Sequence, residues 1–190
     1  MWLICGLGNP GIKYDLTRHN IGFDIINHLA TFNNCQLVKK DNDVELYKTI
    51  IGSEECFLCK PLTFMNLSGK PIGKLKRFYK IPISKIIVIH DDLDLEVNKV
   101  KIKIGGGNAG HNGLSNIDQI IGSDYKRLRV GIGHPGNKSM VSSYVLEKFS
   151  IEDKELIDNK LLQITKYFHL IFNYDRLFLT KITSWGVYGF

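Results

Sequence analysis

The sequence predicts a single α/β domain, a mixed twisted sheet covered by helices on both faces. Three observations carry that prediction. Short apolar runs bounded by Gly, Pro or Asp alternate along the chain with segments whose apolar residues recur every three to four positions. No internal repeat, charge block or Ser/Pro-rich linker interrupts the series. At 190 residues, 44% hydrophobic and 23% charged, the chain has an ordinary globular composition. That length suits one domain, able to bury on the order of 70% of its unfolded surface without disulfides or structural metal.

Element by element, Trp2 to Leu7 reads as a short buried strand, ended by the turn residues Gly8-Asn9-Pro10-Gly11. A helix follows from about Thr17 to Ala30, with Ile21, Ile25 and Leu29 on one face. Glu45 to Ile51 and Glu55 to Lys60 form a hairpin pattern around Gly52-Ser53. Ser68 to Lys80 has helical spacing, with Ile72, Leu75 and Phe78/Tyr79 as its buried stripe. Ile86 to His90 reads as a fully buried strand. Val97 to Ile104 alternates strictly, which puts Lys99, Lys101 and Lys103 on one face and Val100, Ile102 and Ile104 toward the core. Arg127 to Ile132 alternates again, with Arg127 and Arg129 opposite Leu128, Val130 and Ile132. A Gly-rich loop and a short helix, about Leu114 to Ile121, lie between these two strands. The last long helix begins at Ser150, where Asp153 completes a capping signature, and repeats Ile157, Leu161, Ile164, Phe168 and Ile171 along one face. From Leu177 the tail is aromatic, with Phe178, Trp185, Tyr188 and Phe190.

Composition narrows the function classes. Lys plus Arg number 25 against 19 Asp plus Glu, a net +6 that admits a polyanionic partner such as nucleic acid. No apolar run approaches the ~18 residues of a membrane-spanning helix. Met1 to Cys5 has no positive leader, so neither membrane insertion nor a signal peptide is expected. Cys5, Cys35, Cys56 and Cys59 are scattered among apolar residues and read as reduced, buried thiols. Cys56 and Cys59 have CxxC spacing, but no second pair completes four zinc ligands, and residues three apart on a strand face opposite ways.

In open α/β sheets ligands bind beyond the carboxyl ends of strands, which directs attention to the loops after Leu7, His90 and Ile104. The first, Gly6 to Gly11, matches the GxGxxG of dinucleotide sites. Pro10 removes an N–H donor there, Lys13 to Leu16 delay the helix, and no acid occurs from Ala30 to Gln36 to hold a ribose. Beyond it come Tyr14 and then Thr17-Arg18-His19-Asn20 at a helix start. There the helix dipole would keep His19 neutral and able to accept a proton; the competing reading is a capping cluster with Thr17 as N-cap and His19 solvated. The second loop, His90-Asp91-Asp92-Leu93-Asp94, gathers three carboxylates at a strand end. They could ligate magnesium, although no GxxxxGK[ST] segment accompanies them, or one could orient a histidine base; Asp92 and Asp94 also suit a solvated turn. The third loop, Gly105 to Gly113, either lets backbone approach a ligand or is a flexible connection, and Asn112 supplies it with a specific donor and acceptor.

Taken together, GLGNPG (6–11), Tyr14, TRHN (17–20), FMNLSGK (64–70), HDDLDL (90–95), GGGNAGHNGL (105–114) and RVGIGHPG (129–136) resemble the bacterial peptidyl-tRNA hydrolase family, in the family's order. The resemblance is strongest over residues 6–136 of the single domain 1–190 and fades into a divergent tail at 177–190. It implies hydrolysis of the ester between a peptide and the 3′ ribose of tRNA, with no metal and no cofactor, by a monomer in the cytoplasm. Carried over residue by residue, it makes His19 the general base that activates water and Asp91 its orienting carboxylate. Asn9 becomes the residue that distinguishes blocked from free aminoacyl-tRNA. Tyr14, Phe64, Asn66 and Asn112 match substrate-contacting positions, with Met65 beside them. Lys103 and Arg129 match positions that grip the tRNA 5′ phosphate, and Lys138 lies near them in sequence. The run Lys70, Lys74, Lys76, Arg77 and Lys80 either follows the acceptor stem or solubilises a helix. The family's HDELDLP motif has Asp92 for its Glu and Glu96 for its Pro in this chain. Two rival readings remain: a nucleic-acid binding module with the same basic face and no catalysis, and a nicotinamide oxidoreductase.

Overall fold

The short apolar run at the amino terminus becomes the middle of the sheet. Trp2–Gly6 (β1), every residue buried, pairs in parallel with Glu54–Pro61 (β4) on one side and Ile86–Asp92 (β5) on the other. Lys126–Gly131 (β7) continues the parallel set beyond β5. Antiparallel strands close both edges: Val44–Ile51 (β3) and Gln36–Lys40 (β2) beyond β4, and Val100–Ile104 (β6) beyond β7. The seven-stranded order is β2-β3-β4-β1-β5-β7-β6. This computed structural model describes residues 1–183; Trp185, Tyr188 and Phe190 lie outside the described residues.

Helices cover both faces, as the period-3.6 segments predict. Ile21–Phe32 (α1), Ile151–Tyr167 (α5) and Asp175–Thr183 (α6) press Ile21, Ile25, Leu29, Ile157, Leu161, Ile164 and Phe178 onto Ile4, Leu58, Ile89 and Val130. On the other face Gly69–Phe78 (α2) and Asn112–Ile121 (α3) bring Ile72, Leu75, Leu114 and Ile117 onto Leu3, Cys5, Phe57 and Val88. Each fully buried side chain of this kind contributes about 1.5–3 kcal/mol. Cys56 belongs to the first core and Cys59 to the second, as opposite faces of one strand require, and both are free thiols. Ser150 caps α5 by accepting from the Asp153 N–H at 3.1 Å.

Several expectations are corrected. The helix expected from Thr17 starts at Ile21, because Arg18–Asn20 form a tight 3₁₀ turn and the Thr17 hydroxyl donates to the Tyr14 carbonyl at 2.7 Å instead of capping. Phe78 is 78% exposed at the last turn of α2; Tyr79 takes the packing position instead, 4.3 Å from the Phe57 ring. Ile104 is exposed as the last residue of an edge strand, beyond the packing that half-buries Val100 and Ile102. β2 gave no period because all five of its residues are exposed. Val141–Val145 (α4) is too short for a helical period to show, and α6 falls where only the aromatic content of the tail stood out. Phe178 from that tail is fully buried, edge-on to Phe168.

The crossing of α1 over β1 sets the position of everything near the helix start. The Phe23 N–H donates to the Leu7 carbonyl at 3.2 Å, and the Leu7 N–H donates to the Ile89 carbonyl at 3.0 Å. A methyl group on Gly22 would lie 2.3 Å from the Leu7 nitrogen and 2.6 Å from the Ile89 oxygen, so only glycine permits this approach. Gly22→Ala should therefore cost at least about 2 kcal/mol in urea unfolding. An unchanged unfolding midpoint would contradict so close a crossing.

Candidate active site

The parallel strands β4, β1, β5 and β7 all end at one edge of the sheet, and the loops that leave them meet there. The loop after β1 carries Asn9, Tyr14 and the turn Arg18–Asn20; the loop after β4 carries Phe64, Met65 and Asn66; β5 itself ends in His90, Asp91 and Asp92; β7 leads to Lys138. The Gly-rich loop starts at the opposite end, since Ile104 pairs with Lys126 at the beginning of β7. Arg127 holds it as it returns, donating to the carbonyls of Gly107 at 2.8 Å and Gly106 at 3.0 Å and to Asp118 at 3.1 Å. Gly106 has a φ of 88°, and a Cβ there would meet the end of the Lys103 side chain. Arg127 is thus not part of a solvated basic face: the loop covers it to 2% exposure.

At the end of this path His111 meets Asp91, the centre of the site. Asp91 is 3% exposed; its oxygens both lie 2.9 Å from His19 Nδ1, and Oδ1 lies 3.0 Å from His111 Nε2. The tautomers follow from the partners. His111 Nδ1 accepts from the N–H groups of Gly113 and Leu114 at the start of α3, so its hydrogen sits on Nε2 and is donated to Asp91. His19 donates Nδ1–H to the same carboxylate, which leaves the Nε2 lone pair without a partner among the described residues. That lone pair is a base.

Burial alone would lower the affinity of His19 for a proton, but the charge of Asp91 and its hydrogen bond outweigh that and raise its pKa above the usual histidine value. The helix-dipole expectation for His19 is corrected on this point: a carboxylate at hydrogen-bond distance outweighs a fractional charge at a helix start. Burial would likewise raise the Asp91 carboxyl, yet the imidazoles of His19 and His111 hold it well below the ordinary carboxylate range. His90, 3% exposed, donates Nδ1–H to the Asp91 backbone carbonyl at 2.7 Å and meets His111 edge-on. Burial and the neighbouring His111 push its pKa far down, so it is a neutral wall of the site.

The ligand atoms of His19, Asp91 and His111 lie within 4.8 Å of one another, the donor set of a two-histidine, one-carboxylate metal site. The donor chemistry does not fit one. A metal needs the His111 Nε2 lone pair, whereas two backbone N–H groups at Nδ1 fix the hydrogen on Nε2.

Asn9 and Asn20 form a second fixed pair. The Asn9 N–H donates to Asn20 Oδ1 at 2.8 Å, Asn20 Nδ2 donates to the Asn9 carbonyl at 2.9 Å, and Asn9 Oδ1 accepts from the Met65 N–H at 2.8 Å. Asn9 is thereby held with Nδ2 as its uncommitted donor. Met65 is buried against Gly113, which ties the Phe64–Asn66 segment to α3. Phe64, Asn66 and Asn112 are exposed and Tyr14 half-exposed, on the loops that converge here. Asp92 bonds the Asp94 N–H as a turn former does, but it is buried, not solvated, because Arg129 Nε donates to its other oxygen at 2.7 Å. Lys103 and Lys138 are exposed, and Arg129 is half-buried.

The amino-acid sequence did not single out His111, Asn20 or the buried role of Arg127. Two of these had a readable signal: His111 directly precedes a helix start and Asn20 directly follows His19.

A family model described as peptidyl-tRNA hydrolase matches residues 3–183. The chain belongs to the peptidyl-tRNA hydrolase family. Peptidyl-tRNA hydrolase of Bartonella quintana is 46% identical over 185 residues, 97% of this chain and 96% of its own length. That of Rickettsia bellii is 46% identical over 172 residues, 90% of this chain and 93% of its own. The crystal structure of Acinetobacter baumannii peptidyl-tRNA hydrolase superposes with a TM-score of 0.90 at 36% identity, covering 97% of this chain and 95% of that one. A Toxoplasma gondii purine nucleoside phosphorylase shares the fold alone, at a TM-score of 0.52 and 9% identity. Among peptidyl-tRNA hydrolases, then, this chain has a site in which Asn20 fixes Asn9. Asn20→Ala should cost about 1–3 kcal/mol in chemical denaturation by leaving buried groups unpaired. It should also slow turnover as Asn9 loses its orientation, and a variant as stable and as active as the parent would contradict this pairing.

Proposed function

We propose that this site hydrolyses the ester between a peptide and the 3′ ribose of tRNA, with His19 as general base. The observation that carries this reading is the His19–Asp91 pair, which leaves His19 Nε2 without a partner among the described residues. His19 Nε2 takes a proton from water as the water oxygen bonds to the ester carbonyl carbon. The imidazolium so formed is stabilised by ionised Asp91 and returns the proton to the departing 3′ oxygen. The Asn9 amide donates toward the carbonyl oxygen as charge develops there, and toward the blocked amine end of the peptide that marks the substrate. Tyr14, Phe64, Met65, Asn66 and Asn112 contact the peptide ester and the terminal nucleotide. Lys103, Arg129 and Lys138 contact the tRNA phosphate, a role that the exposure of both lysines supports. The reading includes a monomer at work in the cytoplasm, where its substrate forms; the free thiols suit that compartment, and no helix among the described residues is long and apolar enough to cross a membrane.

His19→Ala should lower hydrolysis of N-acetylated aminoacyl-tRNA by about 10²–10⁴-fold while tRNA binding persists. Unchanged turnover would defeat the mechanism and favour a binding module. Because the neutral imidazole is the active form and its pKa is raised, wild-type kcat/KM should climb with pH through a midpoint above about 6.5. In Asp91→Asn burial acts without the opposing charge, so the midpoint should fall and turnover with it. Lys103→Ala should weaken tRNA affinity and flatten its salt slope by about one, with less loss on a short ester that lacks the tRNA 5′ end; equal losses on both substrates would remove the phosphate role.

A further inference from the structure

Arg18 shares a 3₁₀ turn with His19, yet its bonds run to a different part of the molecule. Its guanidinium carbon lies 3.9 Å from the centre of the Tyr144 ring and 5.5 Å from that of Phe149. Its NH1 donates to the Tyr144 carbonyl at 3.1 Å, and its backbone N–H donates to the Glu147 carbonyl at 3.0 Å. Next to it, Thr17 forms a β-bridge with Lys148. Arg18 is 7% exposed, so these contacts are made away from water, whereas its Glu147 carboxylate neighbour at 3.7 Å is 63% exposed and adds little. At the other end of the same segment, the Tyr144 hydroxyl donates to the Ile132 carbonyl at 2.6 Å, directly after β7.

Residues 133–149 therefore form a strap tied down at Ile132 and at Thr17-Arg18. Between those ties His134 and Asn137 to Met140 are exposed, Lys138 among them. Tyr144 belongs to both ties, since its ring and carbonyl hold Arg18 while its hydroxyl holds Ile132. A planar guanidinium can stack on a ring and donate in its own plane at once; an ammonium cannot.

We infer that Arg18 is a positioning residue for substrate binding: it fixes the strap that carries Lys138 to the turn that carries His19, and so sets the spacing between phosphate contact and base. The inference rests on the peptidyl-tRNA reading and on the phosphate role proposed for Lys138. It makes one turn serve two purposes, with His19 directed to the carboxylate and Arg18 to the surface that meets the tRNA body.

The test uses the full chain, with Arg18→Lys, Tyr144→Leu and the two combined. KM for N-acetylated aminoacyl-tRNA should rise about tenfold in Arg18→Lys, at least as far in Tyr144→Leu, which also loses the hydroxyl bond to Ile132, and no further in the double variant than in Tyr144→Leu. The pH midpoint of kcat should stay where it stands in the parent, and amide exchange across residues 141–146 should quicken in both single variants. A shifted midpoint would mean that Arg18 acts on His19 instead, and multiplicative KM losses, an unchanged KM or unchanged exchange would each overturn the inference. If Arg18→Lys does not fold, Tyr144→Leu breaks the same stack from the other side and carries the test. Failure of the parent enzyme to cleave this substrate at all would strike the activity itself and is seen separately.

Discussion

Asp91 carries a negative charge near the end of the inner strand β5 with 3% exposure, and the site is arranged around the need to compensate it. A buried carboxylate without partners costs several kcal/mol. Two imidazole N–H groups, at 2.9 and 3.0 Å, offset that cost, and they come from loops that enter from different sides. For His19 to arrive, α1 must cross β1 at the distance only Gly22 allows; for His111 to arrive, the Gly-rich loop must return along the sheet under the hold of Arg127. The hydrophobic layers place the strand, and the carboxylate selects which loop residues converge on it.

The same arrangement separates two kinds of electrostatics. Around Asp91 the donors are imidazole and amide groups, suited to a reaction in which a proton moves and a carbonyl oxygen gains charge. Full positive charges are carried instead by exposed Lys103 and Lys138 and by half-buried Arg129. The two zones meet at one point: Arg129 bonds Asp92, the residue after Asp91 on β5. The purine nucleoside phosphorylase likeness shows that a sheet of this kind does not by itself specify such chemistry; the side chains at its carboxyl edge do.

The sheet and its covering helices were largely legible in the sequence, because both faces of the central strands are buried and the helices repeat apolar residues on one side. Ile21, Ile25 and Leu29, and the series from Ile157 to Ile171, are all buried as their spacing demands. Exposed β2 left no alternation to find, and the short α4 left no period. In the site, motif strings located His19, Asp91 and Asn9, but a string does not say which side chains bond one another. Alternation gave Arg127 and Arg129 the same face, and it could not foresee a distant loop folding over Arg127 alone. The solvated turn expected at Asp92 failed for the same reason, since Arg129 reaches it from another strand. The bond that raises His19 joins residues 72 apart in sequence, where local helix-dipole reasoning sees nothing.

Asp91 holds both imidazoles, through Nδ1–H of His19 and Nε2–H of His111. Nitrogen-15 NMR of the histidine rings across a pH titration tests this most directly. His19 should titrate above about 6.5 in the parent and move down in Asp91→Asn, with His111 in the Nε2–H tautomer. A His19 midpoint at or below the ordinary histidine value, indifferent to Asp91, would contradict it.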